Sequence, residues 1–203
     1  MSRTPDLLAK ISLLRSAEEV FAEKGITLAK VEEITRRAGL SKGAFYLHFD
    51  SKEDAFKEVV ESFLARCATL FQGPHELEQS IPNDAHGMLA FMLDRDEQSF
   101  EFLWQNRAIV SIIEHCGGEQ EYLLQVFLQG MASVTRSWCE VWQRRGMFRK
   151  DVDLDVIATF LVGAYRALVR RMIASETRPP LRQWLADALG LMVRGLGTER
   201  ARN

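Results

Sequence analysis

The groups best placed to do chemistry lie in one run, Ser41-Lys42-Gly43-Ala44-Phe45-Tyr46-Leu47-His48-Phe49-Asp50-Ser51-Lys52. Its hydroxyl and ammonium groups are donors for phosphate oxygens, and Gly43 and Ala44 leave the backbone bare enough to approach base edges closely. Leu47 offers an apolar surface suited to thymine methyls, and Tyr46 a hydroxyl suited to phosphate. That chemistry is recognition of double-stranded DNA rather than bond making. At 100° per residue, a helix through this run sets Phe45 and Phe49 within ~40° of each other, with Gly43, Ala44, Tyr46 and Leu47 on the opposite side. One face is then an anchor in the core and the other a reading surface. Eight residues at 1.5 Å each give ~12 Å, about the width of the major groove.

The elements that would position this run are legible on either side of it. Thr4-Pro5-Asp6 starts a helix, with a capping oxygen, a proline where no N–H is needed, and an acid at the positive dipole end. Leu7, Ile11, Leu14, Ala17 and Phe21 make its apolar stripe, which ends at Gly25. A short second helix turns Val31, Ile34 and Ala38 inward and stops at Gly39, a residue free to take the left-handed cap. Ser41 is the expected N-cap of the third helix, which runs through His48 and Phe49. Ser51-Lys52-Glu53-Asp54 resembles a capping box that launches a long helix with Phe56, Val59, Val60, Phe63, Cys67 and Phe71 inward, ended by Gly73-Pro74. Helix, tight turn and helix within a three-helix unit is the geometry of a helix-turn-helix, whose second helix enters the major groove. The predicted fold is therefore all-α, with a three-helix head over residues 1–52 and a larger helical body over 53–203. After a loop from His75 to Asp84, about five further helical stretches are expected in the body. Breaks are expected near Arg95, at Cys116-Gly117-Gly118, from Gly146 to Asp153, and from Thr177 to Pro180.

Charge agrees locally and is silent globally. The chain carries 26 Lys+Arg against 28 Asp+Glu, a net charge of -2. Between Lys24 and Lys52, however, six basic residues face three acids, a surplus of +3 that leaves -5 for the rest. The starts of the third and fourth helices can add N–H groups and dipoles directed at phosphate. With 47% apolar and 27% charged residues the composition is that of a globular protein, which argues against disorder and against a disulfide scaffold. Cys67, Cys116 and Cys139 are odd in number and form no C-x-x-C pair, which suits a reducing compartment and small buried apolar roles. No window holds the ~20 apolar residues of a membrane span, and the N-terminus lacks a secretory hydrophobic run. The expectation is a cytoplasmic protein without a membrane partner.

An enzyme is not indicated. There is no G-x-S-x-G, no H-E-x-x-H and no glycine-rich phosphate loop after a strand, and His48, His75, His86 and His115 have no nucleophile partner. His115 and Cys116 would point ~100° apart on a helix, so neither a metal nor a cofactor is expected. The alternative, a helical adaptor or an enzyme without DNA recognition, leaves an outward Tyr46 and Leu47 unexplained.

At these residues the sequence also resembles a family. Phe21-Ala22-Glu23-Lys24-Gly25, Val31-x-x-Ile34, the run from Ala38 to Phe49, and Ser51-Lys52-Glu53 look like the N-terminal domain of TetR-family transcriptional regulators. The likeness covers roughly the first 60 residues, and the all-α remainder agrees with the family's ligand-binding and dimerisation domain. It implies a dimeric repressor, usually released from DNA by a small ligand. Carried over by position, it implies that Ser41, Lys42, Ala44, Tyr46 and His48 contact bases and phosphates, with Lys52 at the start of the next helix. The chain departs from the family at Ala29 and Lys30, where two hydroxyl residues are usual, and at Thr35, where alanine is usual. Thr27 or Lys30 would then supply the phosphate contact, and Ala44 in place of a common threonine shifts readout toward apolar contact.

One head reads one half-site, so useful affinity on a palindromic operator needs a homodimer that sets two heads about one DNA turn (~34 Å) apart. Two stripes at three-four spacing are the expected interface: Ile157, Leu161, Ala164, Leu168 and Met172, then Leu185, Leu189, Met192 and Leu196. Large apolar residues in the middle are the candidate lining for an unknown small-molecule ligand. They are Phe63, Cys67, Met88, Phe91, Met92, Phe100, Trp104, Phe127, Met131 and Trp138. Glu114 there would favour a lipophilic cation, whereas Arg107 and His115 would favour a carboxylate; Asn106 is a further polar candidate.

Overall fold

The computed structural model describes residues 3–74, 77, 80–115 and 119–199. Among these residues it holds nine helices: α1 (Arg3–Leu28), α2 (Val31–Ala38), α3 (Lys42–Tyr46), α4 (Lys52–Leu70), α5 (Ala85–Gln105), α6 (Arg107–His115), α7 (Glu119–Arg144), α8 (Leu154–Ile173) and α9 (Leu181–Leu196). No strand occurs among them, in agreement with the all-α expectation. The chain gathers into two compact units, Met1–Arg66 with Ala108–Leu124, and Cys67–Arg107 with Gln125–Asn203.

In the first unit α1 packs on α2, and both pack on α3. Phe21 and Phe56 meet edge to face at 5.2 Å, and Phe45 and Phe49 lie 5.1 Å apart; all four are buried. The inner stripe of α1 differs from the expected one. Leu7 and Ile11 are more than half exposed, at 59% and 54%, while Leu13, Ala17, Val20 and Phe21 are buried. The first turns make polar contacts instead: Asp6 meets His48 at 3.4 Å, and Lys10 pairs with Glu58 at 2.7 Å over the Phe49 ring. Reading only apolar residues therefore set the stripe one position off in the first turns. Gly25 interrupts α1 with φ 70 and ψ 168, a conformation open essentially to glycine alone.

The turn between α2 and α3 depends on Gly39. Its φ of 68 lets the chain reverse while the Gly39 N–H donates to the Arg36 carbonyl (3.2 Å) and the Leu40 N–H to the Thr35 carbonyl (2.9 Å). Val31 and Ile34 are buried as expected, and Thr35 joins them. The Ser41 hydroxyl accepts from the Ala44 N–H at 3.1 Å and so caps α3. That helix has five residues rather than the expected eight; its last turn loosens at Leu47, the C-cap.

In the second unit α5 runs unbroken through Arg95, contrary to the expected break there. No glycine or proline occurs from Met88 to Gln105, and the helix ends instead at Asn106, with φ -106 and ψ 20. The expected break at Cys116-Gly117-Gly118 lies outside the described residues, whereas those after Arg144 and before Leu181 are present. α8 and α9 both pack on α5 around a core that includes Met88, Trp142, Met147, Phe148, Ile157, Leu161, Leu189 and Met192. Six members of the two stripes expected to pair between subunits are thus buried within one chain: Ile157, Leu161, Met172, Leu185, Leu189 and Met192. Leu168 and Leu196 are half-buried and Ala164 is exposed. Three-four periodicity marks a buried face without saying whose surface buries it, and here α5 does so for much of both stripes.

A polar contact ties α5 to α8, where the Tyr165 hydroxyl donates to Asp96 and the Phe100 ring abuts Tyr165 at 5.9 Å. Burial raises the Asp96 carboxyl from its ordinary 3.8 to about 6, against the lowering pull of the Tyr165 hydrogen bond and Arg95. The folded chain therefore holds this proton more tightly than the unfolded chain does. The resulting stabilisation is full below about pH 4 and fades as pH rises through about 6. Asp96→Asn, which cannot ionise, is expected to be more stable than the parent at pH 8 by on the order of 2–3 kcal/mol, and so to unfold at higher temperature. At pH 4 the two should nearly coincide. Thermal melts across that range check this, and a difference independent of pH would contradict it.

Candidate nucleic-acid interface

α3 presents two faces of opposite character. Phe45 and Phe49 are 0% and 2% exposed, whereas Tyr46 is 50% and Leu47 82% exposed. Ser41, Lys42 and Gly43 are also exposed, and Ala44 is half-buried. The phenylalanines fix the helix in the core, so the outward set is held by a rigid element rather than by a loop. A Cβ on Gly43 would meet only the Ser41 Oγ, at 3.7 Å, an ordinary contact. The fold therefore does not require glycine there, and a helix interior would favour alanine by ~1 kcal/mol. Gly43→Ala is expected to leave the unfolding temperature equal or higher while weakening DNA binding at least about tenfold, because its methyl occupies the surface that approaches base edges. Unchanged affinity in a fluorescence-anisotropy titration would contradict this reading of the face.

The basic groups around α3 are not all free to act alike. Lys42 Nζ pairs with Glu32 at 2.6 Å, Lys24 with Glu33 at 2.7 Å, and Arg37 with Glu23. The hydrogen bond from Lys42 holds the Glu32 carboxyl below its usual range and raises the Lys42 ammonium. These pairs are exposed and stabilise weakly, so a phosphate can exchange for Glu32 at little cost. Lys30 and Thr27 are exposed beside the start of α2.

Two expected contacts sit differently. Lys52 Nζ donates to the carbonyls of Ile26 (2.9 Å), Thr27 (3.2 Å) and Ala29 (3.3 Å), closing the C-terminal end of α1. Its ammonium is directed into the head rather than outward. The His48 side chain is only 9% exposed and faces Asp6. Lys52 thus ties the start of α4 to the end of α1, and His48 ties the segment after α3 to the start of α1; residue type alone does not show that their polar ends turn to the chain itself.

The residues singled out for a ligand divide between the units. Phe63, Glu114 and His115 belong to the first, the remainder to the second. Within the second unit Cys67, Met88, Phe100 and Trp104 are buried. Phe91, Met92, Phe127, Met131 and Trp138 are half-buried, as is Asn106. Phe91 and Trp138 lie 5.7 Å apart, Trp138 stacks on Trp142 at 6.0 Å, and Phe71 meets Phe127 at 6.3 Å. Arg107 is exposed and stacked on Trp104 at 4.5 Å, and His115, in the first unit, bonds the Ser111 carbonyl of its own helix at 2.7 Å. The cation that the structure places among these aromatic groups is Arg95, 4.4 Å from the Trp138 ring and 5.6 Å from the Phe91 ring. Sequence reading passed over it as a helix break, although Phe91, Arg95 and Ser99 share one face at four-residue spacing. Burial pushes the Cys139 thiol up to about 12, so it stays protonated and unreactive. Among the described residues no helix is long and apolar enough to cross a membrane.

Residues 13–59 match the family model described as bacterial regulatory proteins, tetR family. The chain is 27% identical over 184 residues to the helix-turn-helix transcriptional regulator YdgC of Bacillus subtilis strain 168, covering 91% of this chain and 90% of that protein. It is 26% identical over 185 residues to the transcriptional repressor DhaR of Mycobacterium sp. strain GP1, covering 91% of each. Among solved structures, a transcriptional regulator from Aquifex aeolicus VF5 superposes with a TM-score of 0.68 at 25% identity, covering 91% of this chain and 99% of that one.

Proposed function

We propose that the chain is a tetR-family helix-turn-helix regulator that works as a cytoplasmic homodimeric repressor, released from a palindromic operator by a small apolar or amphipathic ligand; the match of residues 13–59 to the tetR family model and the likeness to the repressor DhaR support this reading. The observation that carries the reading is the outward set on α3: an exposed Tyr46 and Leu47 beside a glycine that the fold does not need.

Dimerisation is supported by a face that the core leaves open. Val156 and Phe160 on α8 are 62% and 72% exposed, and Gly163, Ala164 and Ala167 continue the same side at helical spacing. On α9, Leu191 is 68% exposed. Large apolar groups flanked by small ones permit close helix approach, and a second copy of the chain is the symmetric occupant. The interface proposed is therefore the outer side of α8 and α9, not the inner stripes. Ligand release is assigned to α4, a continuous helix whose start is in the head and whose last residues, from Cys67, belong to the second unit. A ligand that prefers a tilted α4 shifts the heads off the operator spacing. A ~100-fold loss of operator affinity needs ~2.7 kcal/mol of coupling.

The test is fluorescence anisotropy with duplexes from the region upstream of the protein's own gene and with shuffled duplexes of equal composition. Preference for the native duplex, with affinity falling steeply as salt rises, is expected. Equal binding to both would overturn the reading.

A further inference from the structure

We propose that Arg95 anchors the acidic head of an amphipathic ligand whose apolar body lies against Phe91, Met92 and Trp138. This rests on the ligand-responsive reading above and names the ligand's class. Arg95 Nη1 is buried and has no hydrogen-bond partner among the described residues, the sole such side-chain atom there. Its Nη2 donates to the Gln72 carbonyl at 2.9 Å, which also accepts from Trp138 Nε1 at 3.0 Å. The guanidinium is thus held by one hydrogen bond and two aromatic faces, with a donor left over. A buried donor without a partner is costly, and native proteins rarely keep one without a use. The neighbouring acid does not fill it, because Asp96 takes the Tyr165 hydroxyl instead. Burial also pulls the Arg95 guanidinium below its usual range, against the raising pull of Asp96.

An oxyanion supplies the missing acceptor, and a carboxylate matches the planar fork of arginine. The groups around Arg95 select the rest of the molecule. Phe91, Met92 and Trp138 are large, apolar and half-buried, which suits a hydrocarbon or ring body and offers nothing to a small hydrophilic acid.

The experiment uses the full chain and three probes of equal chain length below their micellar concentrations: laurate, dodecanol and dodecylamine. Tryptophan fluorescence reports binding, since Trp138 touches the proposed head site. Laurate is expected to bind about 10- to 100-fold tighter than dodecanol or dodecylamine, the range of a charge-assisted hydrogen bond pair. In Arg95→Gln that preference should vanish, with laurate falling to the level of dodecanol. Equal binding of all three by the parent chain, binding of none, or a laurate preference that survives Arg95→Gln would each overturn the proposal. The comparison on the parent chain decides the matter even if Arg95→Gln does not fold. Operator binding measured without ligand on the parent chain separates the two levels: its absence sinks the regulator reading, whereas its presence without laurate preference sinks only the acidic-ligand assignment.

Discussion

Replacing Tyr46 and Leu47 together by alanine is expected to weaken operator binding roughly 100- to 1,000-fold while changing stability by less than about 1 kcal/mol. The two halves of this expectation have separate causes. Both side chains face water in the free protein, at 50% and 82% exposure, so the core keeps Phe45, Phe49 and every buried neighbour when they are shortened. On DNA the same atoms would cover base edges and phosphate, and a dimer presents each of them twice, which compounds the loss. Leu47→Ala alone should mainly relax sequence preference, because an apolar contact with thymine methyls discriminates between bases. Lys42→Ala should act differently, weakening binding to all sequences alike and flattening the salt dependence. An intact Kd for the double variant, beside an unchanged melting temperature, would remove the proposed reading face.

The second large effect concerns Phe160. At 72% exposure on the outer side of α8 it touches little of its own chain, so Phe160→Arg should fold normally. Placed in a symmetric interface, however, it sets two guanidinium groups near each other in an apolar seam, where like charges are strongly unfavourable. Analytical ultracentrifugation should then report monomer at concentrations where the parent is dimeric. Operator affinity should drop by about 10²- to 10⁴-fold as the second head loses its tether. The parallel change inside the former stripe, Leu161→Arg, should instead prevent folding, because Leu161 is buried against the chain's own core. If Phe160→Arg remains dimeric, the interface lies elsewhere.

How far each part was legible follows from which physical signal each residue carries. The head was readable because its signals are local. Gly39 and Ser41 act on their own backbone, and Phe45 and Phe49, four residues apart, are buried against each other. The inner stripe of α1 differs in its first turns because their contacts run through Asp6 and Lys10, polar residues that a hydrophobic pattern passes over. Residue type tells what the side chains of Lys52 and His48 can bond, not where their ends reach; the carbonyls of Ile26, Thr27 and Ala29 settle that for Lys52. In the body the stripes of α8 and α9 were correct as buried faces but assigned to the wrong partner, since α5 supplies much of the covering surface. Arg95 went unseen because a charged residue inside an apolar pattern reads as an interruption, whereas the helix carries it through into an aromatic setting.

The account stands most directly on what α3 reads, and selection of bound duplexes from a randomised pool measures that in one step. The full chain should enrich a two-fold symmetric sequence whose half-sites are centred about one helical turn apart, ~34 Å. The same selection with Leu47→Ala should lose discrimination at thymine positions while keeping the spacing. Failure of the parent chain to enrich any sequence, or a preference identical in the two proteins, would contradict the claim that this helix is the reading element.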